Sequence, residues 1–426
     1  MPSPEDGISP PFNRRPTRRI NPAGLTLHGA VSFSLVAAAS VSLPSVLRRL
    51  AQTPTFQRIH RWAGSSEPKQ IAIQGLAGSL PAFLLRHVSD AAGPWLCVMP
   101  TEDAAAYLAS DLDQLFGEER LDEIVRFPAS GLKPYDTDQV AEPAAQVERS
   151  DVLQRLSEED FQGILVTSAE ALYETIPAPE TLEENTYTLR VGEEIEPAAL
   201  VNRLVDDQFS RVEYVQEPGD VARRGGIVDV YPFSGDYPVR IEFFGDEVDS
   251  IREFDPVSQR SISRRNSARL VPNLAAAAAV VGRGTLFDYL PEALHLFLYD
   301  ADLIVEDIQA RYDRAVSAFA ELESDDPDAK SEGASPSSNV SRETSAPHLL
   351  YVDSQRFEGL LAPHPALIAG SFGRQRSGTD ETLTFAAAPQ PAVNGRIALI
   401  RERLQDNTAA GIDTWIVCDS RGQQSR

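Results

Sequence analysis

The chain has 426 residues, 42% of them hydrophobic, enough to bury more than one core and to form two or three domains. Its 39 Lys and Arg stand against 63 Asp and Glu, a net charge of -24 that repels a phosphate backbone and disfavours broad nucleic-acid binding unless basic groups are concentrated locally. The only cysteines, Cys97 and Cys418, each sit inside an apolar strand-like run, which suits buried thiols in a reducing cytoplasm better than a disulfide framework.

Residues 1–46 read as a basic, disordered N-terminal extension. Through residue 66 the arginines Arg14, Arg15, Arg18, Arg19, Arg48, Arg49, Arg58 and Arg61 face only Glu5 and Asp6. Arg14–Arg19 followed by the apolar run Gly29–Leu43 imitates a secretory signal. The run is short for a membrane span and leads directly into a helical pattern, Val46–Trp62, so no membrane partner is expected.

Residues 47–183 alternate helix and strand. Ile71–Ile73 leads into Gly75, apolar runs follow at Trp95–Met99 and Gly163–Thr167, and helical stretches lie near Ala104–Phe116 and Ala144–Leu156. That is the signature of a parallel α/β sheet. Residues 184–269 read instead as a β-rich α+β domain inserted into it. A helix, Pro197–Asp206, is followed by a β-meander in which Ile227–Tyr231 and Val239–Phe244 flank the turn residues Ser234, Gly235 and Asp236. Residues 270–322, with apolar patterns at Ala275–Val281, Leu294–Leu298 and Ile304–Leu322, are expected to return to the first lobe. Residues 323–348 contain no large apolar residue except Val340 and read as a disordered linker. Residues 349–426 read as a partial further α/β domain, left incomplete where the sequence stops.

A glycine turn follows the first strand: Gly75, Gly78, Ser79, Leu80 and Pro81 stand where a phosphate-cradling loop would open a helix. A working P-loop needs a lysine on the β/γ-phosphates and then a hydroxyl on magnesium. The chain's only lysines are Lys69, Lys133 and Lys330, none after a glycine-rich loop, so the loop reads as degenerate. The six histidines are isolated and Ser168 and Ser371 lack a nucleophile elbow, so no catalytic residue, cofactor or metal is expected.

The meander carries the binding signal. On its strand Val239–Phe244, alternation turns Val239, Ile241 and Phe243 towards a core and Arg240, Glu242 and Phe244 the other way. An aromatic ring beside a guanidinium on an exposed face has the composition of an interface anchor. Arg224 stands just before Gly225 and Gly226, where a tight turn would leave its guanidinium projecting. The acidic neighbours Asp236, Glu242, Asp246 and Glu247 are expected to neutralise these arginines in part.

The succession GLAGSLPAFL (75–84), LKPYD (132–136), VERSDVLQRL (147–156), ILVTSAEAL (164–172), LRVGEEI (189–195), EPGDVARRGGIVDVYP (217–232) and VRIEFFGDEVDSIREFDPVSQRSI (239–262) resembles the amino-terminal part of the bacterial transcription-repair coupling factors, the Mfd family. That part is itself similar to the nucleotide-excision protein UvrB. The resemblance implies a helicase-like (RecA-like) lobe that has lost its ATPase and an inserted domain that binds UvrA, with Arg224, Arg240 and Phe244 at the positions that engage it. It also implies a non-catalytic recruiter of UvrA to damage-stalled transcription complexes. RNA polymerase and DNA would be met through a C-terminal part absent from this sequence. Two other readings stand beside it: a UvrB-like ATPase of the excision nuclease, and a stand-alone regulator competing for UvrA.

Overall fold

Three apolar runs, Trp95–Met99, Ile164–Ser168 and Ala366–Ala369, are buried at every position, as central strands of a parallel sheet covered on both faces must be. They belong to a seven-stranded, wholly parallel sheet in the order Glu381–Thr384, Gln70–Gln74, Ala366–Ala369, His295–Tyr299, Trp95–Met99, Ile164–Ser168 and Ile124–Phe127. This computed structural model describes residues 43–65, 70–136, 143–158, 161–207, 209–235, 237–271, 283–325, 345–370, 380–387, 396–412 and 414.

The two-residue period of the strands divides the core between the faces of the sheet. Trp95, Cys97, Ile164, Val166 and Phe297 face the helices Pro54–Ala63, Leu80–Val88 and Glu102–Phe116. Leu96, Val98, Leu165, Leu296 and Ile368 face the long helix Ala301–Asp325 through Ala301, Ile304, Ile308 and Ala315. The helix Glu102–Phe116 begins where the Thr101 hydroxyl accepts from the Ala104 amide at 3.2 Å, and it ends at Gly117, whose φ is 74°. Its buried Ala105, Leu108, Ala109, Leu112 and Phe116 recur at helical spacing. Cys97 is a free thiol inside this core, and burial pushes its pKa up; Cys418 lies outside the described residues.

A second core belongs to an antiparallel sheet, Ser261–Arg265, Glu247–Phe254, Val239–Phe244, Ile227–Val230 and Asp220–Arg224, with Ser210–Arg211 joined in parallel at its edge. The helix Pro197–Asp206 lays Leu200, Val201 and Leu204 against Val221, Val228, Ile241 and Ile251. The chain enters and leaves this domain through a two-stranded antiparallel ribbon, Tyr187–Arg190 with Ser267–Leu270. The molecule is therefore α/β, a parallel seven-stranded lobe carrying a separate β-rich domain, the arrangement expected of a helicase-like lobe with an interaction domain.

The tail departs from the sequence reading. Part of the stretch 349–426 belongs to the first lobe, since Ala366–Ala369 fills the slot between Gln70–Gln74 and His295–Tyr299, and Glu381–Thr384 closes the edge beyond Gln70–Gln74. Strand order in a parallel sheet follows from crossover geometry and not from sequence order, so a late apolar run can complete an early sheet. The expected linker also narrows. Glu323–Asp325 end the long helix, while Ser345 is buried and its carbonyl accepts from the Tyr135 hydroxyl at 2.7 Å. The intervening residues 326–344, the run Ala275–Val281, the closing Trp415–Val417 and the extension up to residue 42 lie outside the described residues. The first described helix starts at Leu43 rather than Val46.

Candidate partner-binding face

Strand register decides what the meander displays. Asp229 stands directly opposite Ala222 on one side and Arg240 on the other, and Arg240 in turn stands opposite Arg252. One row further along, Arg224, Ile227, Glu242 and Ser250 share the same face. The other face carries Val221, Val228, Val239 and Ile241 into the core, with Phe243 only half-buried beside a register shift between Glu242 and Phe243.

Asp229 is 1% exposed. A carboxylate so far from water needs its lost hydration replaced, and two arginines replace it. Arg240 donates from Nε to Oδ1 at 2.7 Å and from Nη2 to Oδ2 at 2.8 Å, and Arg224 donates from Nη2 to the same Oδ2. These charge-assisted bonds hold the Arg240 guanidinium above its ordinary pKa. Each guanidinium also lies against a ring, Arg240 at 4.4 Å from the centroid of buried Phe254 and Arg224 at 5.0 Å from that of Tyr214. Gln259 completes the cluster, its Oε1 accepting from Arg240 Nη2 at 2.9 Å.

The structure thus joins Arg224 and Arg240 through a residue that sequence reasoning passed over. Arg224 does not project freely, being folded back onto Asp229. Glu242 acts on Arg240 only through its charge, which adds to the effect of Asp229 in raising the Arg240 pKa, while its own oxygens accept from Ser250 Oγ at 2.6 Å and from Arg252 Nη2 at 3.0 Å; Asp236 is outside the described residues. A lone charge inside the apolar run IVDV was the available signal for Asp229, and only the hairpin register could show that it meets Arg240. Phe244 closes the same strand with 82% of its surface exposed, about 13 Å from Arg240 along the strand. The neighbouring turn at Gly225 (φ 63°) and Gly226 packs against it, with Phe243 N donating to Gly226 O at 2.8 Å.

The glycine turn of the first lobe has a different character. Gly75 (φ 75°) and Gly78 (φ 57°) precede the helix Leu80–Val88, where Pro81 sits in the first turn and the Ser79 side chain makes no cap. Phe385 N donates to Gln74 O at 2.8 Å, bringing the backbone of the sheet's edge segment over Gly75. Among the described residues no group of three or more His, Cys, Asp or Glu is placed to hold a metal ion, and no helix is long and apolar enough to cross a membrane.

Residues 187–275 match the family model of the UvrB interaction domain, a span containing the whole Arg224–Asp229–Arg240 cluster and Phe244. The chain is also 33% identical over 205 residues to the transcription-repair-coupling factor of Bacillus subtilis, 33% identical over 209 residues to that of Myxococcus xanthus and 31% identical over 217 residues to that of Mycobacterium bovis. Each match takes in 48–49% of this chain and 17% of the relative, so the likeness spans about a sixth of those proteins' length.

Proposed function

We propose that this chain, which carries a UvrB interaction domain, works as a non-catalytic docking module that recruits UvrA in transcription-coupled repair. The observation that supports this most directly is the pairing, on one face of that domain, of two fixed guanidinia with a ring left 82% exposed. A ring held out of the core at the end of an ordered strand contributes little to folding, and the fixed guanidinia beside it keep N–H groups for directional recognition of a carboxylate. The arginines bring the partner to its register, and the ring contributes the desolvated area.

The assignment of a non-catalytic role rests on the absence of any lysine after the glycine turn and on the backbone of Phe385 lying over Gly75. Contacts with RNA polymerase and DNA, which the resemblance implies, are assigned to segments other than this one. The test is a titration of UvrA against the wild-type chain and Arg224→Ala/Arg240→Ala/Phe244→Ala, with circular dichroism to verify folding. The triple variant is expected to bind at least about 30-fold more weakly, the scale of a lost hot spot of about 2 kcal/mol. Equal affinities would reject the reading.

A further inference from the structure

We infer that Asp229 is the positioning residue of this docking face, a buried carboxylate that turns Arg224 and Arg240 into one preformed receptor for a carboxylate of the partner. The inference rests on the docking role proposed above and deepens it. Asp229 is 1% exposed and lies on the strand Ile227–Val230, between the strands that bear the two arginines, so it cannot touch a partner itself. What it does is fix both guanidinia, through the Arg240 fork on its two oxygens and Arg224 on Oδ2.

The geometry leaves each arginine with capacity for a ligand. Arg240 commits Nε and Nη2 to Asp229 and Gln259, while its Nη1 has no bond among the described residues. Arg224 commits Nη2 to Asp229 and Nη1 to the Glu213 carbonyl at 3.3 Å, which leaves its Nε. The side chains remain 34% exposed for Arg224 and 17% for Arg240, and neither Arg224 Nε nor Arg240 Nη1 is among the buried polar atoms left without a partner. Two positive charges against one negative leave the cluster cationic, and the complement it selects is a carboxylate. Without Asp229 the guanidinia would repel one another and each would recover its torsional freedom, so a partner would have to order both on binding.

A double-mutant cycle separates positioning from a merely structural role. UvrA is titrated against the wild-type chain, Asp229→Asn, Arg224→Ala/Arg240→Ala, and the combination of the two changes, with Phe244→Ala and Phe244→Ala/Asp229→Asn as controls. Asp229→Asn is expected to weaken binding about 10-fold in the wild-type and Phe244→Ala backgrounds and less than about 2-fold once both arginines are alanine. An equal loss in every background, or no loss in the wild-type background while the arginine variant binds weakly, overturns the inference and leaves the docking reading intact. If neither the arginine variant nor Phe244→Ala loses affinity, the docking reading fails and the inference falls with it. Gln259→Asn guards against a folding defect in Asp229→Asn, since it shortens a side chain outside the core that reaches the same guanidinium. Its smaller loss should likewise vanish in an Arg240→Ala background, and persistence there counts against positioning.

Discussion

The backbone of Phe385 occupies the place where a side chain at Gly75 would have to go. A Cβ at Gly75 would lie 3.2 Å from the Phe385 carbonyl carbon and closer still to its oxygen, in a backbone with φ of 75°. Gly75→Ala is therefore expected to cost at least about 2 kcal/mol, combining the left-handed strain with displacement of the edge strand. Gly78→Ala, at φ 57° with nothing within 4 Å of its Cβ, should cost only about 1 kcal/mol. Urea unfolding of the two variants checks the difference. Similar midpoints would mean that the edge segment does not pack on this turn.

Much of this was legible from pattern alone. WLCVM and ILVTS announce strands buried on both faces, and the alternation in VRIEFF separates core-facing Val239 and Ile241 from Arg240 and Phe244. What pattern could not reach was pairing. Nothing local in ALIA says that it slots between strands nearly 300 and 70 residues earlier, and nothing local in IVDV says that its aspartate lands opposite Arg240. Both depend on which strand lies beside which, and on a hairpin register that a one-residue slip would reverse. The candidate site was half visible for that reason: its outward groups could be read, and the carboxylate that orders them could not.

The first lobe contains a second buried ion pair. Arg149 and Glu174 meet at 3.1 Å with side chains only 7% and 5% exposed, while Arg149 Nη1 donates to the Pro128 carbonyl at 2.7 Å and Ser130 Oγ donates to Glu174 at 2.5 Å. Arg149→Met leaves a carboxylate without its cation in a dry setting and should destabilise the chain by about 3–5 kcal/mol. The double change Arg149→Met/Glu174→Gln should recover part of that loss, because the stranded charge is gone. Denaturant titration of the two variants makes the comparison. A double variant no more stable than the single one would show that packing, not charge, sets the cost.

Acidification should loosen the fold in a defined window. His87, His295 and His364 all have pKa values lowered from the usual 6.5, mainly by burial, with neighbouring His60 adding to the effect at His87 across a ring separation of 4.8 Å. For each of them the unfolded chain takes up a proton at higher pH than the folded one. Their contribution to stability is therefore complete above about pH 6.5 and is lost as pH falls through the folded values. The melting temperature should drop between pH 7.5 and 5.5, before most carboxylates titrate, and His87→Asn should flatten the slope. A melting temperature constant across that interval would contradict the assignment.

The two faces of one strand give the sharpest contrast. Ile241 is fully buried against Val228 and Ile251, and Phe244, three residues on, has 82% of its surface in water. Ile241→Ala removes buried methyl groups from a packed core and should cost about 2–5 kcal/mol of stability. Its effect on UvrA binding should be confined to the fraction of chain that unfolds. Phe244→Ala removes a ring that touches little of its own molecule, so the melting temperature should stay within about 1–2 °C of wild type, as for surface changes worth under about 0.5 kcal/mol. Its affinity for UvrA should nevertheless fall about 10-fold or more, and added salt should reproduce little of that loss, because burial of a ring is not screened as an ion pair is. Measuring both quantities on both variants makes the result diagnostic. If Phe244→Ala lowered stability as Ile241→Ala does, the ring would be part of the fold and could not be counted as a surface kept for a partner.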